Sequence, residues 1–348
     1  MSDEVAGLVV RPLTADRIAA WDAFVARCSE GTFFHCALWQ KVIAESFGHQ
    51  SHYLYVERNG EIRGVLPLIH IASRLFGNSL ISNAFGVYGG PATLDAPART
   101  ALDNAAIALM QSLGADALEY RQLSRTHPDW PCRDNLYATF RRPIDPDPDA
   151  NLKAIPRKQR AVIRQSLTRG LTVVEDGDVE RFFALYALSV RNFGTPVFAK
   201  RYFAELKRAF GRDCEVLVVV HDGTPVCAVM SFYFRDEVLP YYAGASPAAR
   251  QLGAYDFIYW HILRAAAERS LRIFDFGRSK LGTGAFAFKK NWGFVPRPIF
   301  HEYQLKPGSA IPDINPLNPK YRLFIEAWKR LPLPIANALG PLIARDLG

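Results

Sequence analysis

The sequence predicts an α/β fold, layered in the α+β manner and built twice over, each half a mixed sheet flanked by helices. Three observations carry this. Asn59-Gly60 and Asp222-Gly223 each divide two apolar, β-branched runs, the signature of a tight hairpin, and lie 163 residues apart. Glu119 and Asp275 each stand in a strand that follows a helix, 156 residues apart. The order around them repeats: helices, hairpin, strands, helix, strand.

In the first half, Leu8–Arg11 reads as a short strand, with helices near Asp16–Arg27 and Ala37–Glu45. The hairpin spans Tyr53–Leu68. A Gly/Asn-rich region follows (Gly77, Asn78, Gly86, Gly89, Gly90), then a helix over Ala98–Leu113 stopped by Gly114, and a strand at Ala117–Arg121. The second half opens with a basic helix, Arg157–Arg169, and a strand, Leu171–Val174. Helices near Asp178–Asn192 and Ala199–Phe210, the hairpin Val216–Met230, and strands through Phe232 and Leu239–Ala243 come next. A helix over Tyr255–Arg269 leads into a buried strand, Leu271–Arg278. The expected domains are 1–148 and 149–310, with the Pro/Asp stretch Pro143–Asp149 as the boundary. Residues 311–348 form a proline-interrupted tail. Within it Tyr321–Leu331 makes one amphipathic helix, setting Leu323, Phe324, Ala327, Trp328 and Leu331 against Arg322, Lys329 and Arg330. Such a helix docks on a domain face or makes a peripheral membrane contact.

Composition excludes several classes. Of 348 residues, 49% are hydrophobic and 22% charged, which rules out a disordered or collagen-like chain. The five cysteines are widely spaced with no C-x-x-C pair, so neither a disulfide framework nor a cysteine zinc site is expected, which fits a reducing compartment. The acidic N-terminus lacks the basic-then-apolar pattern of a signal peptide, and no apolar run approaches membrane-spanning length. The expected location is the cytoplasm, with the inner face of the membrane as a further option. The net charge of +8 is uneven: residues 1–150 carry 13 Lys+Arg against 17 Asp+Glu, the rest 29 against 17. Asn151–Gly170 holds Lys153, Arg157, Lys158, Arg160, Arg164 and Arg169 with no acid. That stretch is either a solvated face or a site for an anionic partner: phosphate, nucleic acid or lipid headgroup.

The most informative segment is Phe274–Gly293. It leaves a buried strand, crosses a Gly-rich turn and enters an aromatic-basic alternation. Asp275, between Phe274 and Phe276, needs a partner if buried; Arg278 and Lys280 are the nearby candidates. The glycines let backbone N–H groups approach an anion. If the run is extended, Lys289 and Lys290 point opposite ways, one toward a cleft. The bland reading is a structural Asp–Arg pair and a solvated lysine. The segment is not a Walker A loop, since Thr283 stands where lysine is required, and Asp275-Phe-Gly277 has no kinase context. Arg250-Gln-Leu-Gly-Ala-Tyr255 lies between strand and helix, where Gly253 and a helix N-terminus suit phosphate. His49 and His52 lack a third ligand, so no metal is expected; His261 lies mid-helix. There is no G-x-S-x-G elbow, and Cys214 and Cys227 read as core, so direct transfer is simpler than covalent catalysis.

Taken together, the duplication, Phe274-Asp-Phe-Gly-Arg-Ser279 and Phe288-Lys-Lys-Asn-Trp-Gly293 resemble the FemAB-like proteins associated with the PEP-CTERM/exosortase system. Leu75-Phe-Gly-Asn-Ser79, Gly194-Thr-Pro196, Asn318-Pro-Lys-Tyr-Arg-Leu323 and Leu331-Pro-Leu-Pro334 extend the likeness over nearly the whole chain. The resemblance implies two tandem domains of the GNAT acyltransferase fold. Fem relatives move an amino acid from aminoacyl-tRNA onto an amine of a peptidoglycan precursor, with a phenylalanine-lysine pair at the reaction centre. Here that pair matches Phe288 and Lys289, and Lys289 would stabilise oxyanion charge. Arg278, Ser279 and Lys280 would bind substrate, as would the helix carrying Arg157, Lys158, Arg160 and Arg164, toward tRNA or nucleotide-sugar phosphates. The long helical-hairpin arm of some Fem proteins is absent. The GNAT phosphate loop, Q/R-x-x-G-x-G/A, becomes Arg250-x-x-Gly253-x-Tyr255, a bulky ring replacing a small residue.

The expectation is therefore an acyl- or aminoacyltransferase acting on an amine of a cell-envelope or exopolysaccharide precursor. It needs no tightly bound cofactor; aminoacyl-tRNA or acyl-coenzyme A is the donor substrate. A coenzyme A-dependent N-acyltransferase and a non-catalytic module for an anionic glycan or nucleic acid are the alternatives. Asp275 and Tyr242 are base candidates by type and neighbourhood. The oligomeric state stays open.

Overall fold

The computed structural model describes residues 7–73, 76–312 and 322–347. The first six residues, Leu75 and Asn318–Tyr321 of the motifs above lie outside them, as do Pro316 and the start of the expected tail helix. The chain runs β1 (Leu8–Pro12), α1 (Ile18–Arg27), α2 (Leu38–Phe47), β2 (Gln50–Arg58), β3 (Glu61–Ser73), β4 (Gly77–Ser82), β5 (Ala92–Thr93), α3 (Ala96–Ser112), β6 (Ala117–Gln122) and β7 (Cys132–Arg133). Then come β8 (Tyr137–Pro143), α4 (Pro148–Ala154), α5 (Arg157–Ser166), β9 (Leu171–Glu175), α6 (Glu180–Phe193), α7 (Lys200–Phe210), β10 (Cys214–His221), β11 (Thr224–Phe234), β12 (Glu237–Ala245), α8 (Ala249–Leu252) and α9 (Ala254–Glu268). The last elements are β13 (Ile273–Lys280), α10 (Gly284–Asn291), β14 (Arg297–Pro298), β15 (Phe300–Leu305), α11 (Arg322–Arg330) and α12 (Leu333–Ala344).

Both hairpins form where the Asx-Gly pairs stand. Asn59 and Gly60 have φ of 52° and 82°, Asp222 and Gly223 48° and 75°. Two successive left-handed residues match the twist of the flanking strands, and Arg58 faces Glu61 as His221 faces Thr224. The sheets then share one strand order. The first reads β1-β2-β3-β4-β6-β15-β7, with β5 beside β3; the second reads β9-β10-β11-β12-β13-β8-β14. In each, the parallel pair is the fourth strand with the fifth, β4 with β6 and β12 with β13.

Among the described residues, one compact unit holds those up to Asp134 together with 299–312 and 345–347; the other holds Asn135–Pro298 and 322–344. The sequence places its boundaries at 148/149 and 310/311. Pairing moves them, because β8 joins β13 in the second sheet and β15 joins β6 in the first. Pro143–Asp149 thus falls inside the second unit, where the Asp147 side chain caps α4. Local patterning shows that a strand exists but not which sheet it completes.

In the first unit Val56, Leu66, Leu68, Leu80, Leu118 and Tyr120 pack under α3 through Leu102 and Met110. In the second, Val219, Val229, Phe274 and Phe276 pack against Ile258 and Leu263 of α9. On the other face of that sheet α6 presses onto β12. A Cβ on Gly244 would meet Tyr186 Cα at 2.3 Å and its N at 2.4 Å. Backbone cannot retreat as a side chain can. Gly244→Ala is therefore expected to destabilise the second unit by about 3 kcal/mol, read as a lower urea midpoint at unchanged slope. An unchanged midpoint would show that α6 is not seated as described.

Two local expectations change. The aromatic-basic run is not extended: Gly284–Asn291 is the helix α10, with Thr283 Oγ1 accepting from Phe286 N at 3.3 Å. The tail holds a second helix, α12, despite its prolines. Pro334 stands in its first turn, where a missing N–H costs nothing, and Pro341 lies inside it. Both tail helices pack on α6 and the segment after it: Arg191 donates to the Lys329 carbonyl at 3.0 Å, and a Cβ on Gly340 would meet Val197 N at 2.8 Å. None of the described helices is long and apolar enough to cross a membrane.

Candidate functional site

The site follows from how the parallel pair of the second sheet ends. β12 and β13 pair only at Glu237–Ile273 and Val238–Phe274, yet β12 runs on to Ala245 and β13 to Lys280. β12 stays bonded to β11, and β13 to β8. The two strands therefore part, leaving main-chain groups between them without a ladder. At this point the β13–β8 register shifts between Asp275 and Arg278, and Gly277 takes φ 64°. Tyr241 of β12 faces this bulge: its ring lies 3.8 Å from where a Gly277 Cβ would be.

The equivalent place in the first unit is filled by the chain itself. β4 and β6 pair over three positions only, Ser79–Ile81 with Ala117–Glu119. Beyond them Ser82–Gly90 turns inward and is buried throughout. Gly89 and Gly90 N–H donate to the Arg121 carbonyl at 3.0 and 3.2 Å, and Ser82 Oγ accepts from Arg121 N at 3.0 Å. In the second unit β12 continues past the paired positions to Ala245 and β13 to Lys280, with Tyr241 between them.

Lys289, on α10, reaches the bulge from behind. Its stem is half-buried and its ammonium enclosed, donating to the carbonyls of Phe276, Gly277 and Arg278 at 2.6, 3.2 and 3.1 Å. The rings of Phe140 and Phe276 lie 5.5 and 5.9 Å away. Burial pulls its pKa down to about 7, with the Asp275 carboxylate opposing the fall. Three carbonyls match the three protons of the charged form. Lys289 thus holds the bulge through three consecutive carbonyls of β13. Lys290 is exposed. Phe288 packs with Tyr255, Tyr259, Phe276 and Trp292.

Asp275 is 1% exposed. Its partner is not Arg278 or Lys280 but Arg141 of β8, with Nε 3.2 Å from Oδ2; Oδ1 accepts from Gly277 N at 2.7 Å. Arg141 also binds Glu237. Both oxygens of Asp275 are thereby engaged in shaping the bulge. Arg278 instead lies over the Tyr137 ring, its Cζ 5.0 Å from the centroid; Ser279 is buried, and the Lys280 carbonyl accepts from Thr283 Oγ1. Tyr242 sits apart, in an aromatic nest with Tyr186, Tyr202 and Phe203, its hydroxyl 2.9 Å from that of Tyr202. Burial raises its pKa well above the ordinary tyrosine value. At neutral pH it is a phenol, able to donate a proton and not to take one.

The two basic motifs converge. α5 packs along α9. Gly253, at φ 66°, allows the turn between α8 and α9, with Ser166 Cβ 3.2 Å and Val162 3.7 Å from where its Cβ would be. Arg169 donates to the Gln251 carbonyl. Gly253, at the N-cap, offers α9 no side chain; Gly253 and Ala254 are buried against the end of α5, the Asp256 carboxylate takes its own N–H, and Arg250 stays exposed just before this turn. Arg157, Lys158 and Arg164 are exposed; Arg160 donates to the Lys153 carbonyl at 3.2 Å. Tyr255 is half-buried, its ring 6.1 Å from Tyr259 and 6.3 Å from Phe288.

Sequence reasoning missed Arg141, Tyr241 and Asp256. Asp256 joins Gln159 of α5 to the Trp292 indole, which donates to Oδ1 at 2.9 Å. Its signal was a lone acid in the apolar run Ala254–Leu263. Among the described residues no group of three or more His, Cys, Asp or Glu side chains is arranged to hold a metal ion.

Residues 155–290 match the family model described as an acetyltransferase (GNAT) domain. No curated protein matches the chain significantly. Among solved structures, the chain is similar to FemX, with a TM-score of 0.69 and 16% identity over 91% of this chain and 100% of that one. It is also similar to a tandem GNAT protein from the clavulanic acid biosynthesis pathway (TM-score 0.52, 14% identity, 87% and 100% covered). A conserved protein of unknown function from Bacteroides thetaiotaomicron gives a TM-score of 0.55 at 11% identity, with 86% and 100% covered. The chain therefore has a tandem GNAT-like fold, two mixed sheets flanked by helices, with acetyltransferase-domain sequence in its second unit.

Proposed function

We propose that this chain is an acyl- or aminoacyltransferase that moves an activated group directly onto an amine of a cell-envelope or exopolysaccharide precursor, the FemAB-like role its motifs resemble. The carrying observation is the parted β12–β13 pair beside an uncapped, basic helix terminus, with the first unit's counterpart filled. The donor's phosphates lie at the start of α9, toward Arg250 and α5. Its acyl carbon lies between the parted strands, where a backbone N–H outside the ladder donates to the developing oxyanion. The acceptor amine attacks the carbonyl carbon and the bond to the leaving group breaks. The amine's proton goes to water or to the leaving thiolate or ribose oxygen. Asp275 and Lys289 act by holding the bulge in place.

Acyl-coenzyme A as donor is the second reading, favoured by the acetyltransferase-domain match over residues 155–290 and by Arg250 exposed just before α9. The test supplies labelled charged tRNAs or labelled acyl-coenzyme A to the protein with an envelope-precursor extract. Wild type is expected to transfer label from one donor, and Arg250→Ala to raise the donor KM about tenfold, the loss of one charge-assisted hydrogen bond. Label that binds without transfer, from either donor, would make this a binding module.

A further inference from the structure

The second unit carries an apolar surface that its own fold does not cover. From Leu331 to Ala344 the sequence has no charged residue. α12 turns a stripe of small residues inward, with Ala336, Gly340 and Ala344 buried. Its large residues face out: Leu342 is 67% exposed, Ile335 46% and Leu339 44%. These three recur at helical spacing, so they form one face. On α11, Trp328 is buried while Leu323 is 85% exposed and Phe324 40%. Phe193, at the end of α6, is 71% exposed and adjoins Gly194, which Ile325 and Lys329 of α11 cover. An apolar helix normally buries its whole circumference, so a face of this kind points to something that covers it.

We propose that α11 and α12 dock this chain onto an anionic lipid bilayer. The charge flanking the face selects this occupant. α11 carries Arg322, Lys329 and Arg330 against Glu326 alone, and Arg322 and Arg330 are exposed. Lys329 Nζ pairs with Glu326 at 2.7 Å, leaving the two arginines as the charge that faces outward. Large apolar side chains beside arginines, on helices too short to span, are what an interfacial helix presents to acidic headgroups. A second copy of the chain, meeting through the same face across a twofold axis, would bring two arginine-bearing surfaces together, like charge on like. The inference stands on these helices and not on the acyl-transfer reading.

The test is co-sedimentation of the full chain with phosphatidylcholine vesicles, with and without phosphatidylglycerol. Wild type is expected to bind the anionic vesicles and to be released by salt. Ile335→Ser/Leu339→Ser/Leu342→Ser should weaken binding about tenfold or more at unchanged circular dichroism, because these side chains are exposed. Arg322→Gln/Arg330→Gln should remove most of the salt dependence while the apolar contact remains. Three results would overturn the proposal: no binding at millimolar anionic lipid, equal binding by the triple serine variant, or a concentration-dependent dimer that this variant abolishes while vesicles stay unbound.

Discussion

Lys289→Met is expected to cut turnover about a hundredfold and to destabilise the second unit by about 2–4 kcal/mol. The ammonium satisfies three consecutive carbonyls of the β13 bulge. Methionine keeps the stem but leaves those oxygens buried without a donor, at about 1–3 kcal/mol for each that cannot relax toward water. Lys289→Arg should not rescue, since a planar fork cannot converge on three acceptors as an ammonium does. The pH dependence separates charge from scaffolding. With a pKa of about 7, the charged fraction falls as pH rises through neutrality. If the charge assists the developing oxyanion, kcat declines on that alkaline side. Stability moves the other way. The folded pKa lies below the ordinary 10.5, so the unfolded chain binds more protons in between, and this group's contribution grows from pH 7 to 10.5. A methionine variant with wild-type turnover would remove the bulge from the catalytic machinery.

The second large effect belongs to the first unit. Glu119→Ala is expected to cost about 3–5 kcal/mol. Glu119 is buried between Arg121 Nε and His301 Nδ1, each 2.8 Å from Oε1. Burial alone would raise its pKa, but Arg121 and then His301 outweigh it and hold the carboxyl far below the ordinary 4.5. Alanine removes the buried carboxylate that both the Arg121 guanidinium and the His301 ring contact. Because the folded pKa is depressed, the contribution is fully present above 4.5 and is lost only as pH falls through the lower folded value. Hydrogen exchange of β6 and β15 amides should quicken in the variant, while those of β12 and β13 keep wild-type protection. Uniform quickening in both sheets would mean the network is not local to the first unit.

What the sequence disclosed was whatever a short stretch decides by itself. Asn59-Gly60 and Asp222-Gly223 announce their turns because few residue pairs accept two positive φ values in succession. The basic helix announces itself by charge, with Ile163 and Ser166 as its only buried residues. Partners distant in sequence were hidden. Asp275 was matched with the nearby Arg278 and Lys280, but strand pairing supplies Arg141 from β8. The alternation through Phe288-Lys-Lys-Asn-Trp292 read as period two. Packing makes it a helix, because Phe288 and Trp292, four apart, then share one face toward Tyr259 and Phe276. Tyr242 had the right chemistry for a base, and only its burial decides its proton.

The sheet membership of β8 and β15 also governs how this protein is made. A ribosome delivers β6 long before β15, so the nascent first half waits, with one edge of β6 unpaired, until Phe300–Leu305 emerges. The second half begins with its borrowed strand already in hand, since β8 precedes everything it pairs with. Synthesis order therefore favours completion of the second unit before the first. A chain cut between Pro143 and Asp149 would yield a first fragment lacking β15 and a second lacking β8, each exposing an edge that recruits neighbours.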